Sequence, residues 1–212
     1  YNSVQYGLNH ETGEIDYDAL RETAKQQRPK IILAGFSAYP RELDYEAFQS
    51  IADEVGAVTI ADTAHITGLI AGGVLKNPFD AGFNVMTTTT HKTLRGPRGA
   101  MILSRGTGSN PLREPETMEN LPTLIDRSVF AGLQGGPHMH QTAAIAVCLG
   151  EAMQPEFKEY AKQIVANAKR MAQAFMEHGC KLVTNGTDNH LMVLDCVASF
   201  DIGGKETEEL FD

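Results

Sequence analysis

The sequence has 212 residues, of which 42% are hydrophobic and 21% are charged, and it carries a formal net charge of −9. This length is sufficient for one large domain, or for one domain and part of a second. The acidic balance is not offset by any basic stripe, which argues against nucleic acid as a partner. The chain has neither an apolar run of membrane-spanning length nor an opening signal peptide, so we expect no membrane partner.

The cysteines and the chain ends give two further expectations. The three cysteines, Cys148, Cys180 and Cys196, lack metal-ligand spacing and cannot all pair, which predicts reduced thiols in a cytoplasmic protein. The chain starts without methionine in a strand-like segment, residues 1–6, and stops in a helix-like segment, residues 208–212. We therefore expect a fragment of a longer protein.

Helical and strand patterns alternate along the first half of the chain. Apolar residues recur at helical spacing after Asp16 and Asp44, and short apolar runs lie between these helices. The predicted helices are residues 16–27 and 44–55, and the predicted strands are residues 31–35, 57–61, 83–90 and 99–104. Strands separated by helices predict parallel βαβ units with helices on both faces of a sheet. The run at 31–35 is typical of a buried strand.

The second half of the chain contains more glycine, more proline and longer helical patterns. The predicted elements are a loop at 106–122, a glycine-rich turn at 130–137, helices at 138–153 and 157–178 separated by Pro155, and a strand at 191–196. We expect residues 1–153 to be part of a large domain. Residues 154–212 would form a connecting helix and the start of a small C-terminal domain.

A lysine follows the third predicted strand in the run TTTTHKTLRGPRG, residues 87–99. Lys92 stands between threonine hydroxyls, the imidazole of His91 and a Gly-Pro-Arg-Gly turn, a setting unlike that of most solvated surface lysines. An amine placed in this way can form a Schiff base with a carbonyl, and pyridoxal 5'-phosphate (PLP) is the usual carbonyl cofactor. The run therefore predicts a PLP-binding lysine.

Other reactive side chains fall at the ends of the neighbouring strands. Ser37 follows the first strand, and Asp62 and His65 follow the second. Because ligands bind beyond the carboxyl ends of parallel strands, we expect these side chains to converge with Lys92. A buried carboxylate at Asp62 could keep the pyridine nitrogen of PLP protonated, and an N-cap for the following segment is the alternative. Ser37 could donate to a phenolate or phosphate oxygen.

The sequence favours an anion site over a metal site. Gly135 and Gly136 present backbone N–H groups ahead of a helix, a setting suited to phosphate, although most Gly-Gly turns are only turns. His138 and His140 stand at the start of that helix and should point apart. Asp62 with its neighbouring histidine lacks a convincing third ligand, so no metal site is predicted.

Taken together, these segments resemble the serine hydroxymethyltransferase family of PLP enzymes across essentially the whole chain. The lysine run is the most specific point of resemblance. Four other segments resemble further landmarks of the family and occur in the same order: GFSAYPRELD, ADTAHITGLIAGG, FAGLQGGPHMH and GTDNHLMVLD. The resemblance implies an α/β fold with a mostly parallel sheet flanked by helices, an incomplete PLP-dependent transferase fold of type I (aspartate aminotransferase-like). It also implies transfer of the hydroxymethyl one-carbon unit of serine to tetrahydrofolate, giving glycine and 5,10-methylenetetrahydrofolate.

The resemblance also implies a role for each site residue. Lys92 would hold PLP as a Schiff base, Asp62 would pair with its pyridine nitrogen, His65 would lie against it and Ser37 would contact its phenolic oxygen. The other implied positions are Thr89, His91 and Arg98 around the site, Phe130 and Asn189 near the folate, and Gly135 and Gly136 at the phosphate of a neighbouring subunit's cofactor. A homodimer or homotetramer would therefore share its active sites, and His91 would influence substrate specificity.

The chain departs from the family pattern in two residues and in what it contains. Thr63 replaces the methionine common after the aspartate, and Ala131 replaces a proline common in the glycine turn. The family's phosphate-binding serine loop, ring-stacking histidine, substrate tyrosine and glutamate, and carboxylate-binding arginine are not found in these residues. We therefore expect the 212 residues alone to have negligible transferase activity.

Two other functions remain open from the sequence. A threonine aldolase or another lyase of the same fold type would share the lysine and aspartate but would not need a folate pocket. A catalytically silent scaffold of the same fold, acting in oligomerisation or RNA binding, has no chemical reason to keep Lys92, Asp62, Ser37 and the glycine turn. The acidic charge further disfavours RNA.

Overall fold

The computed structural model describes residues 2–106 and 120–212. The helices are α1 (Tyr17–Gln27), α2 (Tyr45–Val55), α3 (Thr67–Ala71), α4 (Leu121–Arg127), α5 (Met139–Ala152), α6 (Pro155–Glu177), α7 (Cys196–Phe200) and α8 (Gly204–Phe211). The strands are β1 (Ile31–Ala34), β2 (Val58–Asp62), β3 (Val85–Thr89), β4 (Ala100–Ser104), β5 (Lys181–Leu182) and β6 (Leu194–Asp195). A π-helical segment, Ser128–Leu133, follows α4, and a 3₁₀ turn, Val183–Asn185, follows β5.

The main sheet has the strand order β1-β2-β3-β4. The pairs β1–β2 and β2–β3 are parallel, and β4 returns antiparallel to β3. The register places Ala34 opposite Ala61, and Asp62 opposite Thr87, so the first three strands end at one edge of the sheet. This topology agrees with the predicted mostly parallel sheet, and that edge is where a ligand of such a sheet binds.

Capped amphipathic helices build the core beside β1 and β2. The carboxylates of Asp16 and Asp44 each accept a hydrogen bond, at 2.9 Å, from the backbone N–H three residues later in the chain. These caps start α1 and α2 where the sequence predicted. The side chains of Phe48 and Ile51 on α2 are fully buried against both strands and against Phe83. Burial of each such side chain contributes about 1.5–3 kcal/mol.

A second apolar cluster anchors the turn that follows Lys92. Leu94 is buried against Cys148 of α5 and Phe157 of α6. The guanidinium of Arg95 lies over the rings of Phe157 and Tyr160, with its central carbon 5.4 Å and 4.7 Å from the two centroids. Helices α5 and α6 therefore hold the lysine turn in place. The boundary between the two domains stays a prediction.

Several predicted elements differ from those in the structure. The first strand is buried on one face only: Ile31 is 45% and Leu33 52% exposed, because the described residues leave uncovered the face of the sheet on which these two side chains lie. Residues 2–6 form no strand, since they pair with no other strand in the described part of the chain. The strand predicted at 191–196 is reduced to β6, whose partner β5 has only two residues.

Two boundaries in the second half also change. Pro155 does not separate two helices but is the first residue of α6, where its missing N–H needs no partner and its fixed φ suits the helix. The loop predicted at 106–122 falls largely on residues 107–119, outside the described residues, and α4 already begins at Leu121.

Candidate active site

Asp62 ends β2 at the ligand-binding edge of the sheet, and its neighbour across the edge is a glycine. Gly35 follows β1 with φ +143°, and a Cβ on it would lie 2.2 Å from the backbone oxygen of Asp62. Only glycine therefore fits beside this aspartate. The carboxylate of Asp62 accepts a hydrogen bond from the N–H of Ala64 at 3.1 Å and is otherwise exposed.

Two sequence expectations for Asp62 are corrected by this geometry. The carboxylate is exposed in the described chain, not buried, because β2 ends here and nothing in the described residues covers its tip. It is also not the N-cap of α3, since that helix begins at Thr67 and its capping position is Ile66. The carboxylate is thus available to a ligand.

Lys92 lies in a tight turn between β3 and β4. The N–H of Thr90 donates to the oxygen of Gly99 at 3.0 Å, and the N–H of Gly96 donates back to Thr90 at 2.7 Å. The hydroxyl of Thr90 donates to the oxygen of Pro97 at 2.6 Å. The Gly-Pro-Arg-Gly sequence therefore closes the turn, and Lys92 remains half-buried at its tip.

Thr93 joins the lysine turn to the turn that contains His65. Its hydroxyl donates to the backbone oxygen of His65 at 2.9 Å and accepts from the N–H of Gly68 at 3.0 Å. The two backbones touch here, because a Cβ on Gly68 would lie 2.2 Å from the oxygen of Thr93. Lys92 and His65 thus sit on two turns that cannot shift independently.

Buried threonine hydroxyls form a chain below these two turns. The Thr67 hydroxyl lies 2.8 Å from that of Thr63 and 2.5 Å from that of Thr88, and it donates to the backbone oxygen of Thr63 at 2.6 Å. All three side chains are buried. Thr63, one of the departures from the family pattern, therefore takes part in a polar network that a methionine could not form.

The imidazole of His65 lies in the field of both charged residues. Its pKa is lowered below the ordinary value of 6.5, first by burial and then by the positive charge of Lys92, while Asp62 acts in the opposite direction. His65 is therefore neutral at pH 7, with one ring nitrogen able to donate and the other able to accept a hydrogen bond. The structure brings together the amine, the carboxylate and the imidazole that the sequence predicted to converge.

Asp62 and His65 share a small pocket with residues from a remote segment. Its other polar side chains are those of Tyr39, Arg41 and Asn189. Asn189 is 2% exposed, its amide nitrogen donates to the oxygen of Tyr39 at 2.9 Å, and its amide oxygen accepts from Leu191 at 3.0 Å. The side chain of Asn189 lines this pocket, and its role near a folate stays a prediction.

The remaining predicted residues surround the site or lie apart from it. The Thr89 hydroxyl donates to the oxygen of Ala64 at 3.4 Å, and the Nδ1 atom of His91 is buried without a hydrogen-bond partner in the described residues. Ser37 and Arg98 are exposed in the loops after β1 and before β4.

The glycine turn is exposed and is not joined to the lysine turn within the described chain. Phe130 is 64% exposed, and an added Cβ on Gly135 or Gly136 would meet no atom within 4 Å. The rings of His138 and His140 do not point apart as predicted but touch edge to face, with centroids 5.6 Å apart, because His138 precedes α5 and is not yet helical. No group of three possible metal ligands occurs in the described residues.

Sequence reasoning missed the residues that fix this site from a distance. Gly35, Gly68 and Thr93 determine how closely the turns approach each other. Of the three, only the two glycines, in the sequences GFS and TGL, could have indicated a close approach. Arg41 pairs with Asp188 and His190 stacks on His65, each across more than a hundred residues, and no local pattern identifies such pairs. None of the helices in residues 2–106 and 120–212 is both long and apolar enough to cross a membrane.

The chain is similar to known proteins along its whole length. The profile of the family described as serine hydroxymethyltransferase matches residues 1–212. A protein named serine hydroxymethyltransferase from Acidothermus cellulolyticus is 50% identical over 212 residues, which are 100% of this chain and 46% of that protein. The chain spans about half the length of this curated relative. The match confirms the predicted fold class, and the chain belongs to the serine hydroxymethyltransferase family.

Proposed function

We propose that the protein containing this chain transfers the hydroxymethyl unit of serine to tetrahydrofolate, giving glycine and 5,10-methylenetetrahydrofolate. The observation that carries the proposal is the linked pair of turns at the sheet edge, where Lys92, Asp62 and His65 converge. The chain's membership of the serine hydroxymethyltransferase family and its 50% identity with a relative named serine hydroxymethyltransferase support the proposal.

The residues at this edge have the chemistry that PLP requires. An amine that can bind an aldehyde, an open carboxylate and a neutral imidazole lie at one end of a parallel sheet, and these groups suit the aldehyde and the pyridine ring of the cofactor. Lys92 would bind its aldehyde carbon and Asp62 its ring nitrogen. When bound, PLP would supply an electron sink for breaking a bond at the substrate's α-carbon.

The protein groups would each act on a defined part of the ligands. The carboxylate of Asp62 would keep a ring nitrogen protonated, because a negative charge next to it favours the cationic form. His65, being neutral, would donate to the cofactor without adding charge, and the rigid turn would fix the Lys92 amine. Ser37 would donate to the phenolic oxygen, and Thr89, His91 and Arg98 would shape the site, with His91 influencing substrate specificity.

The more distant predicted residues would complete the site in an assembly. Gly135 and Gly136 would bind the phosphate of a second subunit's cofactor, which agrees with their open surroundings and with the apolar exposure of the same segment, where Leu133 is 86% exposed. Phe130 and Asn189 would lie near tetrahydrofolate. The partners would therefore be serine, glycine, tetrahydrofolate and at least one further copy of the protein.

Glycine formation from serine by the full-length protein, with and without tetrahydrofolate, tests the proposal. We expect formation that depends on tetrahydrofolate and that is lost in Lys92→Ala, while Lys205→Ala, which changes an 89% exposed lysine side chain, keeps it. Serine turnover of equal rate without folate would instead support a lyase such as threonine aldolase. No turnover by a folded, PLP-loaded protein would refute the proposal.

A further inference from the structure

The imidazole of His65 is stacked on a second imidazole that the proposed function does not use. The rings of His65 and His190 are nearly parallel, at 19°, with centroids 6.2 Å apart. This separation lies within the range for offset stacking of aromatic rings. Building on the proposed function, we propose that His190 is a positioning residue that fixes the ring plane of His65.

Within the described residues, the ring of His65 has no other aromatic partner and no hydrogen bond. Its backbone oxygen is held by Thr93, but in residues 2–106 and 120–212 no hydrogen bond reaches either of its ring nitrogens. The terminal torsion of histidine is broad, so the ring plane is not set by the backbone alone. The stack with His190 is therefore the contact that orients the imidazole.

His190 is itself held by a segment that is clamped to the loop after β1. The guanidinium of Arg41 donates to Asp188 at 3.1 Å and to the hydroxyl of Thr184 at 3.1 Å, and it also binds the backbone oxygen of Thr184. The second carboxylate oxygen of Asp188 accepts from the N–H of Glu42 at 3.2 Å. This clamp fixes the backbone that carries His190.

Asp188 and Asn189 make two further hydrogen bonds with the loop after β1. The Asn189 amide donates to the backbone oxygen of Tyr39, and the N–H of Asp188 donates to the oxygen of Pro40 at 2.8 Å. The Nδ1 atom of His190 is buried and has no hydrogen-bond partner in the described residues. His190 thus makes no polar contact through that atom, which leaves stacking as the function that its placement supports.

The electrostatics of the pair favour two neutral rings. Burial and the nearby His65 lower the pKa of His190, and burial, with Lys92, lowers that of His65, against the opposite effect of Asp62. Two neutral imidazoles can stack without repulsion, so the arrangement is stable at neutral pH. Loss of His190 would open one side of His65 to water and move its pKa back toward its ordinary value.

Three variants of His190 in the full-length protein test the inference. His190→Phe keeps an aromatic ring, His190→Leu keeps the volume without a ring, and His190→Ala removes both. His10→Ala, at an exposed histidine, is the matched control. The first readout is the histidine NMR titration of the PLP-free protein, in which His65 is assigned from a His65→Gln variant. The second readout is kcat and KM for serine.

We expect His190→Ala to raise the pKa of His65 and to lower kcat by about twofold to tenfold, as expected for losing an aromatic stack. His190→Phe should keep both values, and His190→Leu should fall between. If His190→Ala does not fold, the difference between His190→Phe and His190→Leu in the pKa of His65 and in kcat tests the inference instead. An unchanged His65 titration in the Ala and Leu variants, or a Phe variant that behaves like Leu, would overturn the inference.

The two proposals fail in distinguishable ways. The titration of the PLP-free protein does not depend on any reaction, so it reports on His190 even if serine is not the substrate. A shifted His65 titration with no serine turnover in the unmodified protein would refute the proposed function and support the positioning role. Normal serine turnover with an unshifted His65 titration would support the proposed function and refute the positioning role of His190.

Discussion

Adding one methyl group at Gly68 tests whether contact between the two turns holds the active site together. Gly68 lies in α3 and its Cβ position is 2.2 Å from the oxygen, 2.4 Å from the carbonyl carbon and 2.8 Å from the next backbone nitrogen of the Thr93–Leu94 peptide. All three are backbone atoms, so no change of side-chain rotamer can relieve the clash. The lysine turn or α3 must move instead.

The size of the effect follows from the distances. Ordinary contact begins near 3.4 Å, so Gly68→Ala must separate the two backbones by about 1 Å. Overpacking of this kind costs about 1–3 kcal/mol, against about 1 kcal/mol gained from the higher helix propensity of alanine. A displacement of about 1 Å at a reacting group can lower a rate by about a hundredfold. We therefore expect a modest loss of stability and a large loss of kcat.

The assay is the thermal midpoint and the serine-dependent kcat of the full-length Gly68→Ala protein. Gly150→Ala is the matched control: it also lies in a helix, α5, but its Cβ meets no atom within 4 Å, so stability should be equal or higher. An unchanged kcat in Gly68→Ala, with a correctly folded protein, would refute the claim that the two turns are positioned by this contact.

Two further changes have defined outcomes. Thr67→Val leaves the buried hydroxyls of Thr63 and Thr88 without their shared partner, so we expect the free energy of unfolding in urea to fall by about 1–3 kcal/mol; an unchanged urea midpoint would contradict this. Because the pKa values of His65 and His190 are lowered in the folded state, the unfolded state binds more protons below the ordinary value of 6.5, and stability should fall as the pH drops through that value. A double His→Gln variant at these positions should lose less stability over the same pH range, and an equal loss would count against the assignment.

Local signals in the sequence were sufficient for the first two helices. Asp16 and Asp44 precede apolar residues at helical spacing, and both cap the helices that were predicted. The partial exposure of β1 could not be predicted, because its apolar run is the same whether one face of the strand is covered or both are. The role of Pro155 was ambiguous for a similar reason, since proline both ends helices and begins them.

The positions of the candidate site residues in the fold were more predictable than their packing. Lys92, Asp62 and His65 follow strands that the pattern identified, and strand order brings them to one edge. The contacts that fix them depend on pairs far apart in the sequence, such as Arg41 with Asp188, for which a single sequence carries no signal. The exposure of Asp62 was likewise not visible, because burial at a strand end depends on what packs above it.

The most direct test of the central claim is covalent trapping of PLP on the full-length protein. The protein is incubated with PLP, reduced with borohydride, digested and mapped by mass spectrometry, with Lys92→Ala treated in parallel. We expect one phosphopyridoxyl group, on the peptide that contains Lys92, and no specific label in the variant. A label that is absent, or spread over surface lysines equally in both proteins, would contradict the assignment of Lys92 as the PLP-binding residue.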